Sequence, residues 1–246
     1  MALVTGAARG IGAAIVRRFT EAGAKVAITH LGTERNEHLS AALIGELASD
    51  RVMAVIADAA SGPDMEAATN RVSAAFGTVD VLILNAAQVG HLPWDEITVD
   101  DWDRMMDVNL RGAFVASLAA IEGMRKNGYG KIVTIGSVMA TTGDSRALHY
   151  VTTKGGLIAF TRSLSRCEGE NGIRGNCVIP GAIQVERESE DGSNPEATLT
   201  WMKPVQALKY RGQPHDIATA VQYLSSPASD FVSGRALTVD GGWTNY

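Results

Sequence analysis

The chain alternates two hydrophobic periodicities along its length. Seven short segments rich in Val, Ile and Leu have the composition of buried strands, at residues 2–5, 25–29, 51–56, 79–84, 131–136, 173–179 and 235–240. Between them, apolar residues recur at helical spacing, as in 11–23 and 102–128. Strands that alternate with helices form parallel sheets covered on both faces. The pattern therefore predicts one α/β domain over residues 1–246, a doubly wound parallel sheet of about seven strands.

Turn and capping residues support several of these boundaries. Gly23 follows the first helical segment as a C-cap residue. The segment "SGPD" (61–64) supplies turn residues and a proline for a helix start. The segment "TVDD" (98–101) has the form of a capping box with aspartate in its last position.

Residues 183–207 depart from the alternation as a long polar segment. Its acidic residues are Glu186, Glu188, Glu190, Asp191 and Glu196. Connections of this length in compact domains are usually functional lids or disordered, and we predict a mobile substrate-binding loop. The acidic side chains either form a solvated surface or disfavour anionic substrates.

Composition narrows the classes of partner. The chain is 46% hydrophobic and 20% charged, which suits a buried core, and its net charge is −5. That charge offers no basic surface to nucleic acid or anionic lipid. The apolar runs are far shorter than the roughly 20 residues that span a bilayer, and the amino terminus has no signal-peptide pattern. We expect no nucleic-acid or membrane partner and a cytoplasmic location.

The two cysteines, Cys167 and Cys177, are too few for a disulfide framework. Both lie among core-type residues, which predicts buried thiols in a reducing compartment. The spacing of His, Cys and Asp residues resembles no zinc or iron site, so we expect no metal.

A glycine-rich turn follows the first predicted strand. Gly6, Gly10 and Gly12 lie between that strand and the first helical segment, with the spacing G-x3-G-x-G. Glycine permits unusual backbone dihedrals and close approach of a phosphate, which the N–H groups of a helix N-terminus bind. The alternative is a tight strand-to-helix turn without a ligand. The position after the first strand of a βαβ unit favours dinucleotide binding.

A tyrosine and a lysine, Tyr150 and Lys154, lie four residues apart in a segment of small and apolar residues. This spacing places both side chains on one helix face. Such pairs also occur by chance. An ammonium group beside a phenol stabilises the phenolate and lowers the phenol pKa, and a low dielectric strengthens the effect. The pair is therefore a candidate acid–base centre.

Seven segments in this order resemble motifs of the classical short-chain dehydrogenase/reductase family over essentially the whole chain. They are "TGAARGIG" (5–12), "LNAA" (84–87), "DVNLRG" (107–112), "IGS" (135–137), "YVTTK" (150–154), "IPGAI" (179–183) and "VDGG" (239–242). The segments "TIGSV" (134–138) and "YGKIV" (129–133) are similar to 3-oxoacyl-acyl-carrier-protein reductases of that family. The resemblance implies a Rossmann-type fold.

The resemblance also implies a catalytic set of Asn109, Ser137, Tyr150 and Lys154. Tyr150 is then the general acid for ketone reduction and the general base for alcohol oxidation. Ser137 orients the substrate oxygen, Lys154 also binds the nicotinamide ribose, and Asn109 holds a water that links Lys154 to solvent. Alternatively, Ser137 only caps a turn at the end of a strand. Asn109 would then be an ordinary mid-helix residue bonded to the backbone.

For the dinucleotide, the resemblance implies a larger set of contact residues. It comprises Gly6, Arg9, Gly10, Ile11, Gly12, His30, Asp58, Ala59, Asn85, Ala86, Tyr150, Lys154, Pro180, Gly181 and Ile183. Asp58 would bond the adenine amine and Asn85 would lie along the adenosine ribose, unless each is only a turn residue. Two positions depart from the family pattern, Ala87 in place of a glycine and Val185 in place of a threonine that contacts the carboxamide.

The choice between dinucleotides depends on the end of the second strand. NAD-dependent members place an acidic residue there, and counting along the segment puts His30 in that position. Arg9 matches a basic residue common in NADP-dependent relatives, and Arg35 could also reach a 2′-phosphate. These features favour NADP(H) over NAD(H). Alternatively, Arg9 is a solvated turn residue and His30 bonds a ribose hydroxyl in either cofactor.

We therefore expect an oxidoreductase that interconverts a ketone and a secondary alcohol by hydride transfer to or from NAD(P). The alternatives are an NAD-dependent alcohol, sugar or vitamin-type dehydrogenase working oxidatively, and a binding protein that senses dinucleotides without chemistry. The resemblance also implies a homotetramer. Its contact helices would be 102–128, with Phe114, Leu118 and Ile121, and 150–168, with Leu157, Phe160 and Leu164.

Overall fold

All the predicted strands lie in one parallel seven-stranded sheet of order β3-β2-β1-β4-β5-β6-β7. The computed structural model describes residues 1–186 and 195–244. The strands are β1 Ala2–Val4, β2 Val26–His30, β3 Val52–Ile56, β4 Val81–Leu84, β5 Gly130–Ile135, β6 Ile173–Pro180 and β7 Ala236–Val239. The doubly wound α/β fold predicted from the hydrophobic pattern is confirmed.

Helices cover both faces of this sheet. They are α1 Gly10–Glu21, α2 Glu34–Leu47, α3 Gly62–Phe76, α4 Val99–Met106, α5 Gly112–Asn127, α6 Met139–Thr142, α7 Leu148–Glu168, α8 Pro195–Met202 and α9 Pro214–Ser225. The apolar sides of α1, α2 and α9 form one buried cluster with the sheet, and those of α3, α5 and α7 form a second. Within the described residues, no helix has the length and apolar content needed to cross a membrane.

The predicted helix boundaries rest on the expected caps. Ser61 accepts a hydrogen bond from the Asp64 backbone N–H at 3.2 Å. Thr98 and Asp101 form the reciprocal capping box at the start of α4. Gly23, after α1, has φ of +82°, which glycine adopts without strain. These residues mark where α3 and α4 begin and where α1 ends.

The helix predicted over 102–128 is interrupted. One turn of π-helix, Asp107–Arg111, lies between α4 and α5, and Asn109 is buried at its centre. A π turn adds a residue to the α-helical repeat and leaves backbone groups outside the regular ladder. The cause is tertiary, because the Asn109 side chain bonds segments outside its own helix.

Three side chains point in directions other than those predicted. Cys177 is buried as expected, but Cys167 is exposed, because it lies off the α7 stripe that packs on the sheet. Ile121 and Leu157 are buried in the core and are not available for a contact between subunits. Phe114 and Leu118 are 50% and 55% exposed, one turn apart on α5.

The polar segment 183–207 contains a helix that the sequence did not predict. Its α8 buries Met202, and Trp201 packs edge-on against Trp243 with ring centroids 5.0 Å apart. Three of the acidic residues named above, Glu188, Glu190 and Asp191, lie outside the described residues. The substrate-loop assignment stays a prediction.

Candidate active site

The glycine-rich turn after β1 brings two parts of the backbone into close contact. Gly6 has φ of +61°, and a Cβ atom there would lie 2.7 Å from the Ala86 Cα. A Cβ atom on Gly12 would lie 2.7 Å from the Ala7 Cα and from the Asn85 side-chain nitrogen. Neither position can accept a larger residue without displacing the backbone. The turn is therefore open to a ligand only on its outer side.

Hydrogen bonds from β4 hold this turn in place. The Thr5 hydroxyl oxygen accepts bonds from the backbone N–H groups of Asn85 and Ala86 at 3.0 and 3.1 Å. The Asn85 side-chain amide donates to the carbonyl oxygens of Thr5 and Gly6 at 3.0 and 2.9 Å. The Asn85 amide therefore positions the turn, and the place of Asn85 along a ribose stays a prediction.

The N-terminus of α1 is suited to an anion. Thr33, Ser61 and Thr98 cap α2, α3 and α4 with side-chain hydrogen bonds, whereas no side chain caps α1. The first N–H groups of α1 and the positive end of its dipole therefore face the adjoining cleft. Together with the space left by the glycines, this arrangement fits the pyrophosphate of a dinucleotide.

A cleft of about 420 Å³ lies between this turn and the ends of β2, β3 and β4. Ten predicted cofactor residues line it, namely Gly6, Arg9, Gly10, Ile11, Gly12, His30, Asp58, Ala59, Asn85 and Ala86. Ala87, Val185 and Glu186, which were discussed above but not assigned to the cofactor, also line it. The residues not predicted at all are Ala8, Thr29, Leu31, Asn36, Ala57, Gln88 and Val108. Leu31 and Ala57 directly follow the ends of β2 and β3, which was the available signal for these two. A more open depression of about 740 Å³ between α3 and α4 contains none of the predicted catalytic residues.

Two of the residues considered above for the choice between NAD(H) and NADP(H), His30 and Arg9, line this cleft. His30 ends β2 and is buried, with its Nδ1 atom 2.9 Å from the Leu31 carbonyl oxygen. A carbonyl oxygen only accepts, so Nδ1 carries the proton and Nε2 is an acceptor in the neutral ring. The Asp58 carboxylate accepts from the Ala60 backbone N–H at 2.9 Å, as an aspartate in a turn does. Arg9 lines the cleft, whereas Arg35 does not.

Asn109 connects three elements through its buried side chain. Its amide oxygen accepts from the Gln88 N–H at 2.7 Å, and its amide nitrogen donates to the Gln88 carbonyl at 2.9 Å. The same nitrogen donates to the Thr153 hydroxyl at 3.1 Å. Thr153 in turn donates to the Tyr150 carbonyl oxygen at 2.7 Å. Asn109 therefore fixes the loop after β4 and the start of α7 relative to each other.

Lys154 is a buried cation beside Tyr150. Its side-chain nitrogen lies 5.5 Å from the centre of the Tyr150 ring and donates to the Ile135 carbonyl oxygen at 2.7 Å. Burial lowers the pKa of the ammonium group from 10.5 to about 8. At neutral pH the group is still mainly protonated, so a positive charge stands next to the phenol.

The ends of β5 and β6 meet beside this pair. Ile135 precedes the buried Ser137 by two residues, so the bond from Lys154 draws α7 toward the serine. The Val138 N–H donates to the Pro180 carbonyl oxygen at 3.0 Å. A Cβ atom on Gly181 would lie 2.6 Å from the Asp240 Cα, which keeps this turn close to the end of β7.

The predicted residues thus occupy two adjoining regions at the carboxyl edge of the sheet. Pro180, Gly181 and Ile183 do not line the 420 Å³ cleft. They lie at the end of β6, beside the end of β5 that carries Ser137. This is the edge at which open α/β sheets bind their ligands.

Comparison with known proteins agrees with this geometry. Residues 6–244 match the family model described as enoyl-(acyl carrier protein) reductase. The chain is 35% identical to D-threitol dehydrogenase of Mycolicibacterium smegmatis, over 99% of this chain and 92% of that protein. It is 34% identical to 3-oxoacyl-[acyl-carrier-protein] reductase of Vibrio cholerae, over 98% and 96%.

A solved structure extends the comparison to the fold. The blue fluorescent protein from a metagenomic library, in complex with NADPH, is 37% identical and superposes with a TM-score of 0.90. The alignment covers 99% of this chain and 97% of that one. The chain belongs to the classical short-chain dehydrogenase/reductase family, whose members are oxidoreductases that act on CH–OH groups with NAD(P).

Proposed function

We propose that this enzyme interconverts a ketone and a secondary alcohol at Tyr150, with NAD(P) bound along the cleft and the end of β6. The observation that carries the proposal is the buried Lys154 ammonium, 5.5 Å from the centre of the Tyr150 ring. Burying a charge is costly unless it is paired or hydrogen-bonded. Here the ammonium group donates to the Ile135 carbonyl oxygen and lies beside a phenol that can exchange a proton with a substrate oxygen.

The bound nicotinamide supplies or accepts the hydride. The Tyr150 hydroxyl donates a proton to the substrate oxygen in reduction and removes it in oxidation. The positive charge of Lys154 stabilises the phenolate that forms when the proton leaves. Ser137 donates a hydrogen bond to the substrate oxygen and orients it toward the tyrosine.

Asn109 has a positioning role and a proton-transfer role in this proposal. Its amide holds the Gln88 backbone and Thr153, as described above. The π turn leaves backbone groups of Asp107–Arg111 outside the regular helical ladder. We propose that one of them holds a water through which Lys154 exchanges protons with solvent. The binding-protein alternative is not supported, because Ser137, Tyr150 and Lys154 are all present.

A neutral substrate suits the site better than an anionic one. Glu186 lines the cleft, and Glu196 is exposed at the start of α8. Carboxylates in the segment after β6 would disfavour thioesters carried by the anionic phosphopantetheine group. The similarity to a D-threitol dehydrogenase supports a polyol or sugar, in an oxidative reaction, as the second candidate for substrate and direction.

We also expect a cytoplasmic location, since both cysteines are free thiols.

The first prediction concerns the chemistry. Turnover is measured by nicotinamide absorbance with NAD(H) and with NADP(H), on a panel of neutral ketones, polyols and thioesters. On the best substrate, Tyr150→Phe is expected to bind the dinucleotide normally and to lose at least about a thousandfold in kcat, because only the proton donor is removed. Turnover within tenfold of the parent would contradict the assignment. Tyr223→Phe, on the exposed side of α9, is the matched control and should leave kcat unchanged.

The second prediction concerns the pH dependence of stability in the ligand-free chain. The pKa of Lys154 is about 8 in the folded state and near 10.5 in the unfolded state. Between these values the unfolded chain binds more protons, so folding stability rises with pH across this window. Relative to Lys154→Met, the parent should gain on the order of 3 kcal/mol between pH 7 and 10.5. Chemical denaturation at a series of pH values measures this difference, and a constant difference would reject the burial of a charged Lys154.

The third prediction concerns the dinucleotide. We propose that NADP(H) is preferred, because His30 and not a carboxylate ends β2 and Arg9 lines the same cleft. The NADPH bound to the similar metagenomic protein supports this choice. Arg9→Ala should reduce the ratio of kcat/KM for NADP(H) over NAD(H) by about ten- to a hundredfold. Arg71→Ala, on the exposed side of α3, is the control. A parent that prefers NAD(H), with a ratio unaffected by Arg9→Ala, would show the proposal to be wrong.

The fourth prediction concerns assembly. We propose a homotetramer in which Phe114 and Leu118 of α5 pack between subunits, since both are about half exposed in the single chain. Light scattering should give four times the 26.0 kDa chain mass at micromolar concentration. Leu118→Lys should give smaller species, whereas Val99→Lys, at an exposed position of α4, should not. A monomeric parent would reject the tetramer.

A further inference from the structure

Arg211 is a buried arginine that neither the sequence motifs nor the cleft lining includes. It lies between α8 and α9 and is 8% exposed. Its terminal Nη2 atom donates to the Ile183 carbonyl oxygen at 2.7 Å. A guanidinium donor makes this a charge-assisted bond, which is stronger than a bond between neutral groups. It joins two segments 28 residues apart in the chain.

The segment around Ile183 is also held by the neighbouring backbone. The Gly212 N–H donates to the Ala182 carbonyl at 3.1 Å, and the Gln184 N–H donates to the Gly212 carbonyl at 2.9 Å. Ile183 and Gly212 thus form a short parallel bridge outside the sheet. A Cβ atom on Gly212 would lie 2.6 Å from the Ile183 Cδ1 atom. A side chain at position 212 would therefore have to displace the end of the Ile183 side chain.

The main chain at Ile183 lies outside the sheet, so it has to be supported by other segments. Strand β6 ends at Pro180, and Gly181 packs on Asp240 of the segment after β7. Beyond Gly181 the backbone leaves the sheet and runs to Val185, whose Cγ1 atom would lie 3.7 Å from a Cβ on Gly10. Ile183 lies between these two points. The bridge and Arg211 are the contacts that fix its main chain in the described part of the structure.

We propose that Arg211 is a positioning residue for the nicotinamide end of the site, a proposal that rests on the proposed function. By holding the Ile183 carbonyl, the guanidinium fixes the segment 182–184 that follows β6. The end of β6 lies beside the end of β5, which Lys154 contacts. The adenosine end, which is lined by the glycine-rich turn and the ends of β2 and β3, does not depend on this contact. Loss of Arg211 therefore weakens one half of the dinucleotide site and spares the other.

The test compares two ligands that differ only in the nicotinamide. Calorimetry measures the affinity of the preferred dinucleotide and of the ADP-ribose that matches it. This ADP-ribose carries a 2′-phosphate if the preferred dinucleotide is NADP(H). Arg211→Met is expected to weaken dinucleotide binding about tenfold and to change ADP-ribose binding less than about twofold. Arg211→Lys, which keeps one charged donor, should recover part of the loss. Arg71→Met, on the exposed side of α3, is the matched control and should change neither affinity.

A second variant covers the case in which Arg211→Met does not fold. Gly212→Pro removes the N–H that donates to the Ala182 carbonyl and keeps the guanidinium, so it should show the same selective loss. In either variant, the primary isotope effect on kcat with deuterated dinucleotide should increase, because hydride transfer becomes slower relative to other steps.

The outcomes separate the two proposals. If folded variants lose affinity for both ligands equally, or for neither, Arg211 has only a structural role and the inference is overturned. If the parent binds neither ligand, the proposed dinucleotide function itself fails. Selective loss of dinucleotide affinity in both variants, with normal thermal unfolding, supports the positioning role.

Discussion

The hydrogen bonds between the ends of β1 and β4 are the constraint on which the site depends. In this strand order the chain crosses from β3 to β4, so the turns after β1 and β4 diverge to opposite faces and leave a crevice between them. Thr5 and Asn85 close the floor of that crevice by satisfying strand-end carbonyl and N–H groups that would otherwise be buried without partners. The glycines, the uncapped α1 and the cleft all take their positions from this junction.

The fold was predictable because burial on both faces makes parallel strands continuously apolar, which distinguishes them from the helical spacing between them. The glycine-rich turn and the Tyr150–Lys154 spacing were predictable for a similar reason. Each is a local pattern whose chemistry follows from a few neighbouring residues. The positions of Ser137 and Asn109 needed the family resemblance, since an isolated serine or asparagine carries little information about its surroundings.

The features that sequence reasoning missed are set by contacts between distant segments. Asn109 bonds Gln88 and Thr153, which are 21 and 44 residues away, and the π turn accommodates those bonds. Arg211 reaches Ile183 in the same manner. Cys167 was assigned to the core from its neighbours, but exposure on a helix depends on angular position, and it lies beside the buried stripe. Composition around a residue does not give that angle.

The π turn at Asp107–Arg111 also makes the length of this segment as important as its residues. The wider turn accommodates one extra residue between α4 and α5. Deleting one residue there would restore a regular helix and remove the wide turn in which the Asn109 side chain is buried. Substitutions in this segment would be tolerated more readily than a change of length. An alignment of distant relatives should therefore show no gaps here, even where the residues differ.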